Sequence, residues 1–193
     1  MIGQARLKQC TAAELGVVPI NGNFSRYLNW NETAILVALV KSVSPRVMIE
    51  FGCNEGRTAK IVLKNVSSLE RYIGIDVPSN HQPTLDCQVK EIPSEAAIYA
   101  NDDRFFLLLC PSVDLSADKL EPCDAVFIDG DHSEEAVIFE SLLAKELVRK
   151  GGIIVWHDYG NPAVEVTDAL DHLSDQGWDV SSVKNSWLAF ARM

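Results

Sequence analysis

The stretch from Arg46 to Asp76 constrains the fold of this chain more than any other. An apolar run, Arg46-Val47-Met48-Ile49-Glu50-Phe51, carries an acid near its end and runs into a turn bracketed by Gly52 and Gly56. An amphipathic segment over residues 58–65 follows, with Ala59, Ile61, Val62 and Leu63 on its apolar side, and then a second strand-length run, Tyr72-Ile73-Gly74-Ile75-Asp76. Strand, helix and strand in that order form a βαβ unit, in which ligands bind in the crevice at the carboxyl ends of the strands. Gly52 and Gly56 carry no Cβ and suit a turn where backbone must come close to a ligand. Asp76 stands where an acid in such folds accepts hydrogen bonds from ribose hydroxyls.

The remaining segments extend this unit into an α/β fold, a Rossmann-like doubly wound sheet with helices on both faces. Asn29 or Asn31 caps a helix that runs through Val43 and stops before Pro45. Residues 105–110 are unbroken apolar and predict a strand buried on both faces. Residues 125–129 give the next strand. Ser133 then caps a helix with Glu134 and Glu135 in its first turn, Arg149 and Lys150 in its last, and Gly151 as its stop. Residues 152–156 form a further strand, residues 162–176 a helix closed by Gly177, and residues 178–183 and 187–192 a terminal hairpin. A short helix is expected over 94–101, capped by Ser94. Residues 1–44 read as a helical and loop segment ahead of the core at 45–193, all within one domain. A short helix is expected at 12–15, and residues 22–27 read as part of an N-terminal strap packed on the core.

Formal net charge is −10 and the pI about 4.8. A surface that acidic repels phosphate backbones and anionic lipid, which argues against nucleic acid or membrane as the main partner and favours a small molecule. The cysteines at 10, 53, 87, 110 and 123 are odd in number and contain no C-x-x-C pair, so buried free thiols in a reducing compartment are expected rather than a disulfide framework. The chain shows no apolar leader and no aliphatic run of membrane-spanning length, which reads as a soluble cytoplasmic protein. The oligomeric state, a homo-oligomer included, is open.

Glycine spacing narrows the ligand. A dinucleotide fingerprint would place glycines at 54 and 57, where this chain has Asn54 and Arg57, and Glu50 and Glu55 put negative charge where a pyrophosphate would sit. This disfavours a nicotinamide oxidoreductase and fits a phosphate-free, positively charged nucleoside. With its Glu-x-Gly-x-x-x-Gly pattern the chain resembles the class I S-adenosylmethionine-dependent methyltransferases. That resemblance covers roughly residues 45–193 in element order. It implies a seven-stranded, mostly parallel sheet whose terminal strand is antiparallel, with S-adenosylmethionine held by Glu50, Gly52, Cys53, Asn54, Gly56, Asp76, Val77, Ser112 and Asp129.

Two strand ends carry a dense set of ionisable groups. They are Ile128-Asp129-Gly130-Asp131-His132-Ser133 and Trp156-His157-Asp158-Tyr159. Both segments resemble the subset that contains sugar and macrolide O-methyltransferases and cephalosporin-hydroxylase-like proteins. In metal-using members, acids at these positions bind Mg²⁺. By that resemblance Asp129, His157 and Asp158 are candidate ligands for Mg²⁺ or Mn²⁺, although His157 stands where sugar-modifying members have an acid and suits a softer ion. Asp131 or His132 is the candidate base, beside Asp129. The implied activity is methyl transfer to an oxygen of a small hydroxylated acceptor, with metal dependence open. The competing reading is a non-catalytic cofactor-binding or structural protein that keeps the fold.

Overall fold

The computed structural model describes residues 7–20 and 28–193, so the expected strap at 22–27 lies outside the described residues. Eight strands form one sheet among those residues: β1 (Lys8–Cys10), β2 (Val47–Phe51), β3 (Arg71–Asp76), β4 (Phe105–Leu109), β5 (Cys123–Ile128), β6 (Val148–Trp156), β7 (Val180–Val183) and β8 (Ala189–Arg192). Four α-helices accompany them: α1 (Trp30–Lys41), α2 (Arg57–Asn65), α3 (Glu134–Leu147) and α4 (Val166–Asp175). The strand order is β1-β7-β8-β6-β5-β2-β3-β4. β8 lies antiparallel to both β6 and β7, and every other pairing is parallel. The fold is therefore the expected Rossmann-like α/β sheet with an antiparallel terminal strand, enlarged by one. The extra strand, β1, pairs with β7 in a segment whose Gly, Pro and polar content reads as loop.

Alternation along the inner strands explains why helices cover both faces. In β5, Val126 and Ile128 pack with α3 and α4, while Ala125 and Phe127 pack with α1 and α2. The same parity in β2 sends Ile49 and Phe51 to the α3/α4 layer and Met48 to the α1/α2 layer. No helix among the described residues is long and apolar enough to cross a membrane.

Five local expectations need correction, the first being the short helix at 12–15, which is turn. β4 lies at the open sheet edge, so Phe106, Leu107 and Leu109 are exposed rather than buried on both faces. The segment 94–101 is turn, not helix, because Ala97 adopts a left-handed backbone (φ 59°) while its N–H donates to the Asn54 carbonyl. α3 ends at Leu147 and leads directly into β6, which places Arg149 and Lys150 in a strand. Ser133 precedes α3 without a side-chain cap, and Asp131 and Glu165 instead accept the N–H groups of Ser133 and Glu134. By contrast Asn29 caps α1 as expected, in a reciprocal capping box with Glu32. All five cysteines are free, but only Cys53 and Cys123 are buried.

Candidate functional site

Because β2 to β6 run parallel, their carboxyl ends meet along one edge of the sheet, and a cavity of about 680 Å³ opens there. The turn after β2 forms one wall. Gly52 has φ 78°, and a Cβ on it would lie 2.2 Å from the Asp129 carbonyl oxygen. Gly56 has φ 77°, and a Cβ there would meet Ala100 Cβ at 2.7 Å. Both glycines are thus required by the protein's own backbone, and Gly52 also borders the cavity. Asn54 and Val77 line the cavity and donate their backbone N–H groups to the two carboxylate oxygens of Asp76. Asp76 is held at the cavity wall with lone pairs left for a ligand. Burial raises its pKa, against those two hydrogen bonds.

Glu50 and Cys53 sit deeper. Glu50 is buried on the α1/α2 side of β2, where it accepts a hydrogen bond from the Tyr72 hydroxyl (2.8 Å), and it does not line the main cavity. Burial holds its pKa well above the usual carboxylate range, the Tyr72 bond opposing. Cys53 borders a small secondary hollow beside the turn, and burial pushes its thiol far up. Ser112 reaches the cavity from the turn after β4.

The ends of β5 and β6 bring the predicted ionisable groups together. His157 Nδ1 lies 3.1 Å from Asp158 Oδ2 and 3.3 Å from Asp129 Oδ1. His132 Nε2 lies 3.5 Å from each of the same two oxygens. Asp129, His132 and Asp158 offer atoms within 4.8 Å of one another. Asp129 is pulled down to about 2, since the charge of His157 and hydrogen bonds from both histidines outweigh its burial. Burial works against charge on His157, yet Asp129, Asp158 and Glu32 hold its pKa well above the usual value. On His132 burial is likewise outweighed, by its bond to Asp129 and the charges of Asp129 and Asp158. Asp158 adopts a left-handed backbone (φ 62°), uncommon for a non-glycine residue and often found where function holds strain. Asp131 turns its Oδ2 to the Thr84 hydroxyl (2.6 Å) and its Oδ1 to the Ser133 N–H (2.9 Å).

Several site groups carry no expectation from sequence. The β3–β4 connection, residues 77–104, lies as a strap across the cavity, separate in sequence from the segment 22–27, and is tied down at Thr84 to Asp131, at Gln88 to Gly130 and His132, and at Glu91 to Asn54. Glu32 of α1 accepts the Trp187 N–H (2.8 Å) and stands 3.6 Å from His157 Nε2. Trp187 borders the cavity and is 44% exposed, and His81 borders it too. Glu140 of α3 lines the cavity with its Oε2 unpartnered. Glu140 had a signal: with Val137, Ser141 and Ala144 it occupies the buried face of the helix, an acid at a core position.

A protein family described as a methyltransferase domain matches residues 49–159. No curated protein sequence matches the chain. Among solved structures the chain is similar to the SAH-bound methyltransferase PaMTH1 of Podospora anserina, at 15% identity and TM-score 0.62 over 86% of this chain and 79% of that one. It is similar to cofactor-bound Rv0187 from MTB at 21% identity and TM-score 0.62, over 94% and 85% of the two chains. The O-methyltransferase from Bacillus cereus in complex with SAH aligns at 16% identity and TM-score 0.60, over 94% and 87%. At these identities the likeness is one of fold.

Proposed function

The chain belongs to the methyltransferase-domain family, and we propose that it transfers the methyl group of S-adenosylmethionine to an oxygen of a small hydroxylated molecule. The observation that carries this reading is the charge of the cavity. Asp76, Glu91, Asp129, Asp131, Glu135 and Asp158 line it and outnumber the cationic His157, and among the described residues no lysine or arginine lines it. Such walls repel a pyrophosphate and attract a sulfonium. Asp76, held by two backbone N–H groups, supports the role of ribose acceptor, with Gly52, Asn54 and Val77 beside it and Ser112 across the cavity. Glu50 and Cys53 support the turn from beneath.

In the transfer the acceptor oxygen attacks the methyl carbon, the C–S bond breaks, and sulfur keeps the electron pair as a neutral thioether. Holding the three atoms in line supplies up to about 7–11 kcal/mol. The acceptor's proton passes to a carboxylate, for which Asp129 is the best-placed group. Even a carboxylate pulled down to about 2 suffices, because an alkylated hydroxyl is an oxonium, far more acidic than any carboxylic acid. His132 aims its Nε2 at Asp129 and Asp158 from 3.5 Å. Asp131 acts as a positioning residue that docks the strap through Thr84. No step is assigned to a divalent ion. An ion held by Asp129, Asp158 and either histidine would need an imidazole lone pair, and both rings turn a nitrogen toward carboxylates that favour N–H there.

Incubation with S-adenosylmethionine carrying a deuterated methyl, plus a panel of small phenols and sugars, tests this by mass spectrometry. The expected product gains a labelled methyl on oxygen, accompanied by S-adenosylhomocysteine, at a rate unchanged by EDTA. Label on nitrogen or carbon, or turnover abolished by EDTA and restored by Mg²⁺, would count against the reading. Tight nucleoside binding with no transfer would favour the non-catalytic alternative.

A further inference from the structure

Gln88 ends a single 3₁₀ turn, Asp86–Gln88, in the strap over the cavity, and it is buried at 5% exposure. Its side-chain amide makes three contacts with the loop leaving β5. Oε1 accepts the His132 backbone N–H at 3.0 Å. Nε2 donates to the Gly130 carbonyl at 3.0 Å, lies 3.0 Å from His132 Nδ1 and stands 3.5 Å from Glu91 Oε2, the longest of the three, which leaves its second hydrogen to the imidazole. The first two contacts fix which end of the amide is which. Turned over, Gln88 would set its NH₂ against the His132 N–H and its carbonyl against that of Gly130, leaving two buried pairs mismatched.

With the amide fixed, His132 Nδ1 faces a donor and must itself accept. The hydrogen of the neutral ring then sits on Nε2. That nitrogen is buried, has no hydrogen-bond partner of good geometry, and lies 3.5 Å from both Asp129 Oδ1 and Asp158 Oδ2. We propose that Gln88 is a positioning residue that locks His132 in its Nε2–H tautomer, aimed at the Asp129–Asp158 pair, so that this ring neither ligates a divalent ion nor acts as the base. Ligation or proton uptake at Nε2 needs a lone pair there. A lone pair on Nε2 requires the proton on Nδ1, against the Gln88 amide hydrogen. Asp129 and Asp158, with the charge of Glu91 added, favour a doubly protonated ring, which would also need Nδ1–H. Two N–H donors cannot face each other at 3.0 Å, so the contact with Gln88 prevails.

This inference rests on Asp129 and Asp158 being the acid pair of the transfer site, but its test needs no turnover. Two-bond ¹H–¹⁵N correlation spectra of the whole protein at pH 7 distinguish the Nε2–H tautomer, the Nδ1–H tautomer and the imidazolium. Assignment comes from the signals lost in His132→Gln. The wild type should show His132 with Nε2 protonated and Nδ1 bare, and adding Zn²⁺, which favours imidazole ligands, should leave that pattern in place. Gln88→Leu should lose it and show N–H at both ring nitrogens. An Nδ1–H ring or an imidazolium in the wild type, displacement of the Nε2 proton by Zn²⁺, or an unchanged pattern in a folded Gln88→Leu would overturn the proposal. The wild-type spectrum decides the matter even where Gln88→Leu fails to fold. Failure of S-adenosylhomocysteine to bind would end the methyltransferase reading while leaving the tautomer assignment intact, so the two fail separately.

Discussion

Glu140→Gln should change how stability depends on pH. Glu140 lies 98% buried inside α3, since only 2% of it is exposed, and its Oε2 has no partner. Burial, aided by the charge of Asp131 and opposed by a hydrogen bond from Ser112, raises its pKa to about 8. Unfolded, the same carboxyl ionises at about 4.5. Between those limits the native state holds a proton that the unfolded state has released, so stability falls as pH rises and levels off above about 8. At roughly 1.4 kcal/mol per pH unit, this one group lowers stability by about 3–4 kcal/mol from pH 5 to pH 8. Glutamine cannot ionise, so Glu140→Gln removes the slope. Any mismatch of its amide with the neighbours adds a penalty that does not vary with pH. The other groups titrate in both proteins, so the difference between the two reports residue 140 together with its coupling to His132 and Asp131. Urea unfolding followed by tryptophan fluorescence at pH 5, 6, 7 and 8 measures it. The variant should gain on the wild type by about 3–4 kcal/mol across that range. Parallel curves, with a constant difference at every pH, would show that the Glu140 carboxyl ionises normally and that its surroundings have been misjudged.

Gly52→Ala should lower the melting temperature by roughly 6–12 °C, from a penalty of about 3 kcal/mol, because its Cβ would overlap the Asp129 carbonyl in a left-handed backbone. Melting within about 2 °C of wild type would contradict the close approach of β2 to β5. Asp131→Ala frees the strap at Thr84 and should lower turnover by about 10–100-fold with S-adenosylhomocysteine affinity kept within about threefold. A comparable loss of affinity would make Asp131 part of the cofactor site instead.

What could be read from sequence divides along physical lines. The β2–α2–β3 unit and both strand-end acid clusters were legible because they depend on local pattern: apolar runs, helical spacing and acids at strand termini. The reading failed where neighbours in space decide. β4 has the composition of an inner strand, but topology leaves it at the edge, which no local pattern records. α3 passes into β6 without a turn, so Arg149 and Lys150 mimic the basic end of a helix. Glu50 carries the expected acid of the cofactor turn, yet strand parity points it at Tyr72, beneath the cavity. Gln88 and Thr84 lie 44 and 47 residues from the partners they hold, His132 and Asp131, in a stretch with no periodicity, and only the folded chain reveals them.

The central claim is that the acid-lined hollow at the carboxyl ends of β2 to β6 receives an adenosyl sulfonium nucleoside against Asp76. Titration calorimetry of the wild type and Asp76→Ala with S-adenosylmethionine, S-adenosylhomocysteine and NAD tests it directly. The account predicts saturable one-to-one binding of both adenosyl ligands and none of NAD. It also predicts a loss of at least about tenfold in Asp76→Ala, the equivalent of one charge-assisted hydrogen bond. Preferential binding of NAD, or an Asp76→Ala protein that binds S-adenosylhomocysteine as tightly as wild type, would contradict it.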